Sequence, residues 1–94
     1  MSNNEPKTTY IDDKELSLSE LQKLVGGYIE VAYSDDERQI VCNEEGKLMG
    51  LPINREATQY WHDCLSKFNS NAFYEIPDVL MGDVVVLTDK ALMQ

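Results

Sequence analysis

His62 is the only histidine in the chain and stands two residues before Cys64, with Cys42 the one other thiol. A metal centre would have to be built from these three. On a helix, residues two apart point away from each other, so His62 and Cys64 cannot clasp one ion. No recognisable zinc-ligand spacing replaces them. The two cysteines sit among apolar neighbours and read as buried, reduced thiols. Ser66 lacks the glycine-flanked elbow of a hydrolase nucleophile, and no glycine-rich loop of phosphate-cradling spacing occurs. Carboxylates abound, but nothing places a pair of them in an apolar pocket where one would act as acid and one as base. The expectation is a non-enzyme with no cofactor and no bound metal.

One constellation invites a ligand. Arg55 falls in the first turn of a helix capped by Asn54, where unpaired N–H groups and the helix dipole favour an anion. Arg38, Asn43 and Lys47 lie on the segment leading there, and Tyr60 and Trp61 follow within two turns, positioned to stack on a base. This alternative site, Arg38, Asn43, Lys47, Asn54, Arg55 and Tyr60, would suit a nucleotide or another phosphate-bearing signal. Against it, Glu56 adjoins Arg55, and an apolar stripe at helical spacing is ordinarily packing.

Charge narrows the partners. Seventeen acidic against eight basic residues give a net charge of −9, and the lysines are scattered. Nucleic-acid phosphate is bound by clustered Lys and Arg, so direct nucleic-acid binding is not expected, nor is an anionic membrane surface. Acids cluster at 12–15, 35–37 and 44–45. The expected contact with a protein partner, in particular a basic nucleic-acid-binding one, is Asp35, Asp36, Glu37, Glu44 and Glu45. No apolar run reaches the ~20 residues of a membrane span, and the first residues lack a signal-peptide pattern, so a cytoplasmic protein is expected.

The elements that must position these groups follow from periodicity. Residues 1–6 read as a flexible N-terminus and 7–94 as one small domain. Residues 7–11 are β-branched and aromatic and suit an edge strand. Ser17 and Glu20 match a capping box, with Leu18, Leu21, Leu24 and Val25 at helical spacing over 18–25 and Gly26 and Gly27 stopping the helix. Residues 28–33 alternate, with Ile29, Val31 and Tyr33 on one face. After a four-residue acidic loop, 38–43 complete a hairpin. Glu45 and Gly46 predict a turn in which the glycine takes positive φ, and 47–49 suggest another short strand. Ala57, Tyr60, Trp61, Cys64, Leu65 and Phe68 make a wide apolar stripe on the second helix, stopped at 69–71. In 72–78, Pro77 forbids a central ladder position. The run at 83–87 is too continuously β-branched to be half exposed and belongs inside a sheet. The fold class is α+β, a three- to four-stranded, mainly antiparallel sheet covered by two helices in the order β-α-β-β-α-β. A homodimer would form by pairing an edge at 7–11 or 38–43 across a two-fold axis.

VGGYIEV (25–31), NEEGKLMGLPINREAT (43–58) and MGDVVVL (81–87) together resemble a family of small domains of unknown function found in bacteriophages, plasmids and some bacteria. The middle motif is the specific one, and the resemblance spans about 20–88. It implies a mobile-element protein working in the host cytoplasm, and it implies that Asn43, Gly46, Leu51, Pro52, Asn54 and Ala57 hold shared positions. No activity comes with it. The expected function is a non-catalytic accessory protein that binds a host component through its acidic surface, in host takeover or anti-defence. The alternative is a binder that sequesters a nucleotide or phosphate-bearing signal.

Overall fold

The computed structural model describes residues 5–68 and 79–93. Strands β1 (Thr8–Ile11), β2 (Ile29–Ser34), β3 (Arg38–Asn43) and β4 (Val84–Thr88) form one sheet in the order β1-β4-β3-β2. Helices α1 (Leu18–Val25) and α2 (Arg55–Phe68) complete the α+β fold, with a 3₁₀ turn at Asp89–Ala91. The β2–β3 and β3–β4 pairings are antiparallel, and β1 runs parallel to β4. The expected stop at 69–71 and the connection 72–78 lie outside the described residues.

The period of two along β3 and β4 splits the core into two halves. Ile40, Cys42, Val84 and Val86 point to the side where Ala57 and Trp61 of α2 lie. Val41, Val85 and Leu87 point the other way, to Leu21 and Val25 of α1 and to Ala91. Val84 to Leu87 are all within 1% of full burial, and each such side chain removed from water contributes about 1.5–3 kcal/mol. The continuous β-branched run is therefore the inner strand its composition implied.

Local signals place α1. The Glu20 N–H donates to Ser17 Oγ at 3.1 Å and the Ser17 N–H donates to Glu20 Oε1 at 2.9 Å, closing the capping box. At the other end Gly26 adopts φ 81°, and the Gly26 and Gly27 N–H groups both donate to the Gln22 carbonyl. Leu18, counted on the apolar face from its spacing, is instead 59% exposed because it opens the helix before the buried stripe begins.

Four other expectations need correction. The register shifts between Val31 and Tyr33, so a β-bulge turns Tyr33 to the α2 side while Ile29 packs on the α1 side; alternation fails wherever an extra residue enters a strand. Residues 47–49 are turns, not a strand. Gly46 does not take positive φ; what it needs is closeness, since a Cβ there would stand 3.1 Å from the Met81 carbonyl oxygen. Finally, 38–43 is an inner strand, so only 7–11 of the two expected edges is an edge, and β2 is the other.

Gly82 is a position the sequence did not single out. It takes φ 82°, and an added Cβ would lie 2.7 Å from Leu51 Cδ1. Left-handed strain and overlap act together there. Gly82→Ala is expected to destabilise the fold by about 2 kcal/mol, measured as a lowered urea midpoint at unchanged m-value.

Candidate functional site

Two asparagines organise the loops on which the expected sites lie. Asn43 ends β3 and is buried. Its Nδ2 donates to the Val25 carbonyl at 3.2 Å, and its Oδ1 accepts from the Glu45 N–H at 2.8 Å. A run of turns follows, with the Gly46, Met49, Gly50 and Leu51 amides donating to the carbonyls of Asn43, Glu45, Lys47 and Gly46. The chain then meets residues 80–82: Asn54 N–H donates to Leu80 O, Gly82 N–H donates to Pro52 O, and Ile53 bridges Met81.

Asn54, 1% exposed, caps α2 by accepting from the Ala57 N–H at 2.9 Å and from Thr8 Oγ1 at 3.1 Å. Its Nδ2 donates to the Gly82 carbonyl at 3.1 Å and to the Lys7 carbonyl at 3.4 Å. One turn on, buried Thr58 accepts from the Leu80 N–H at 2.9 Å. Backbone groups and the Thr8 hydroxyl satisfy these buried polar side chains.

The six residues of the expected ligand site do not converge. Asn43 reaches towards the end of α1, Asn54 is enclosed, and Lys47 is exposed on the turns. Arg55 is exposed beside a depression rimmed by Glu5, Pro6, Pro52, Ile53 and Glu56. Tyr60 is half-buried against Tyr10, ring centroids 5.9 Å apart. Arg38 lies on the α2 side, its Nη1 3.7 Å from Cys64 Sγ and its Nη2 3.0 Å from Glu37 Oε1. The contact with Cys64, and then the nearby Tyr60 and Asp35, hold the guanidinium charged. Trp61 is buried, not a stacking platform.

The acidic residues divide by role. Asp35 is built into the β2–β3 loop: Oδ1 accepts from the Glu37 and Arg38 N–H groups at 2.7 and 2.8 Å, and Oδ2 accepts from the Tyr33 hydroxyl at 2.6 Å. The Tyr33 bond, followed by the two amides, holds the carboxyl below the usual carboxylate range. Burial and the same bond raise the Tyr33 hydroxyl. Asp36, Glu37, Glu44 and Glu45 are exposed. Because 35–37 precede β3 and 44–45 follow it, the two clusters lie apart by the strand's length, roughly 20 Å for six residues.

Both cysteines are buried and unbridged. Among the described residues, no group of three or more His, Cys, Asp or Glu is close enough to share a metal ion. No helix among them is long and apolar enough to cross a membrane.

The spacing signals passed over one feature. A cavity of about 320 Å³ opens beside β2, lined by Glu30, Val31, Cys42, Glu44, Trp61 and Leu80 among others. The Trp61 indole N–H is buried and, among the described residues, meets no acceptor. The available signal was Glu30, a carboxylate between Ile29 and Val31 in β2.

A mixed four-stranded sheet with a helix on each face, tied by two buried asparagines, defines a small α+β domain. The chain belongs to the family described as a domain of unknown function, DUF3846, which it matches over residues 2–91. No curated protein and no solved structure matches it.

Removing the Asn54 side chain strips a cap and leaves buried partners unpaired, so Asn54→Ala should cost about 2–3 kcal/mol, while Arg55→Ala stays within about 0.5 kcal/mol. Chemical denaturation of both variants checks this. The pH dependence has a defined sign. A carboxyl whose folded pKa is depressed stabilises the fold above its ordinary value near 4, and that contribution is lost as pH falls through the folded value. Tyr33→Phe removes the largest cause, so Asp35 should titrate closer to its ordinary value and the acid limb of stability should flatten, as read by carboxyl NMR.

Proposed function

We propose that this protein is a non-catalytic accessory protein of a bacteriophage or other mobile element, acting in the host cytoplasm by binding a basic host protein through its acidic surface. The observation that supports the reading most is the contrast between its polar residues. Asn43, Asn54 and Thr58 are buried and hydrogen-bonded to backbone, and Asp35 is committed to a loop. The carboxylates of Asp36, Glu44 and Glu45 are exposed and, among the described residues, carry no ion pair, while Glu37 pairs with Arg38. A surface with net charge −9 steers cationic partners towards it and repels nucleic acid and anionic membranes. The mobile-element origin draws on the motif resemblance at 25–31, 43–58 and 81–87.

The test is retention of bacterial lysate proteins on the immobilised domain. Raising salt from about 0.1 M to about 1 M shortens the screening length from about 10 Å to about 3 Å. Retained proteins should be basic, should elute over that range, and should be lost when Asp36, Glu37, Glu44 and Glu45 are replaced together by Asn or Gln. Retention indifferent to both treatments would remove the reading.

A further inference from the structure

The open edge of β2 carries a more specific arrangement than charge alone. The Glu44 N–H donates to the Tyr28 carbonyl at 2.8 Å, and the register pairs Ile29 with Asn43, Glu30 with Cys42 and Val31 with Val41. Antiparallel pairs alternate between bonded and non-bonded. The 28/44 and 30/42 pairs are thus the bonded ones, so the N–H and C=O groups of Ile29 and Val31 point away from β3. Among the described residues, β2 has no neighbour on that side in the sheet. Four backbone groups, two donors and two acceptors, therefore face outward in the spacing that one added strand satisfies.

The side chains beside this edge fit the same occupant. Glu30 shares the α2 side of the sheet with its partner Cys42, and both line the 320 Å³ cavity with Trp61 and Leu80. A residue placed opposite Glu30 on an added strand would project on that side, over the cavity. There, among the described residues, it would meet an apolar floor of Trp61 and Leu80 and two carboxylates, Glu30 and Glu44, beside Lys47. On the cavity rim Leu48 is 87% exposed, and Tyr28, two residues before Glu30, is 66% exposed. Large apolar side chains grouped at a sheet edge mark a contact surface. A second copy of this chain fits poorly, because each copy brings net charge −9 and a Glu30 of its own.

We infer that the β2 edge and its adjoining cavity dock an extended, lysine- or arginine-bearing segment of a partner protein, which adds a fifth strand to the sheet. The main chain of the segment bonds to Ile29 and Val31. One of its long cationic side chains lays its stem on Trp61 and Leu80 and brings its charge to Glu30 and Glu44. This deepens the proposed function by naming the strip and the partner's conformation, and it rests on that reading for the partner's charge.

The experiment titrates the full chain with a synthetic peptide of alternating lysine and valine, followed by amide NMR and hydrogen exchange. The controls are an alternating glutamate and valine peptide and a lysine peptide of equal charge made strand-incompetent by proline. With the lysine-valine peptide, protection of the Ile29 and Val31 amides should rise by about tenfold or more, and the Trp61 indole resonance should shift. Neither control should produce this. Val31→Pro, which deletes an outward N–H, should abolish the effect. Glu30→Lys, on a solvent-exposed strand position that leaves the backbone intact, should weaken binding at least about tenfold. Shifts confined to 35–37 and 44–45, equal for the proline-containing peptide, would overturn the docking strip and leave the acidic-surface reading standing. Protection of Ile29 and Val31 that grows with protein concentration alone would overturn it in favour of self-association, and no change at these amides or the indole at saturating peptide would overturn it outright.

Discussion

The side-chain amide of Asn54 is the constraint on which the rest depends. Its oxygen accepts from the start of α2 and from β1, and its nitrogen donates to carbonyls just before β4 and β1. Three elements distant in sequence are thereby fixed by one buried group. An amide is suited to this because it offers two donors and a two-lone-pair acceptor without a charge to desolvate. A carboxylate would lack the donors, and an apolar residue would leave up to four backbone or hydroxyl groups unpaired in a dry site. Asn43 does the corresponding job on β3 at the same end of the sheet, holding the end of α1 and starting the turns that lead to Asn54.

This arrangement explains why residues with a chemical look are structural. The positions that the motif resemblance marks as shared include both asparagines. They also include Gly46, which lets the Met81 carbonyl approach, and Pro52, whose carbonyl receives the Gly82 N–H. Leu51 fills the space over Gly82. A motif of this kind encodes a path of the backbone. What remains available to other molecules is the exposed charge at the two ends of β3 and the strip along β2.

Much of the fold was legible because its signals are local. The capping box and Gly26 bounded α1, the β-branched run at 83–87 announced an inner strand, and Asn54 marked the start of α2. The features that were not legible are those set by non-local contact. The bulge that turns Tyr33 to the α2 side depends on pairing with β3, and the parallel placement of β1 depends on a strand at the opposite end of the chain. Gly46 looked like a turn residue because sequence shows the glycine and not the Met81 carbonyl beside it. For the site, composition conveyed charge correctly but could not tell the tied carboxylate, Asp35, from its exposed neighbour Asp36. Nor could spacing foresee that Arg38, Asn54 and Arg55 would face three different surroundings.

The strand order has a consequence for how the chain is made. β1 joins the sheet through β4, and the first of their contacts links Lys7 to Asp83 across 76 residues. On the ribosome, every other strand and both helices emerge before the strand that unites them. Until β4 arrives, β1 has no neighbour to bind, and β3 presents bare apolar sides to both α1 and α2. Assembly must therefore come late and nearly all at once, because loop closure of this length is slow and is rewarded only when the final strand slots between the two edges. A nascent chain halted short of residue 84 would expose those surfaces to chaperones and proteases.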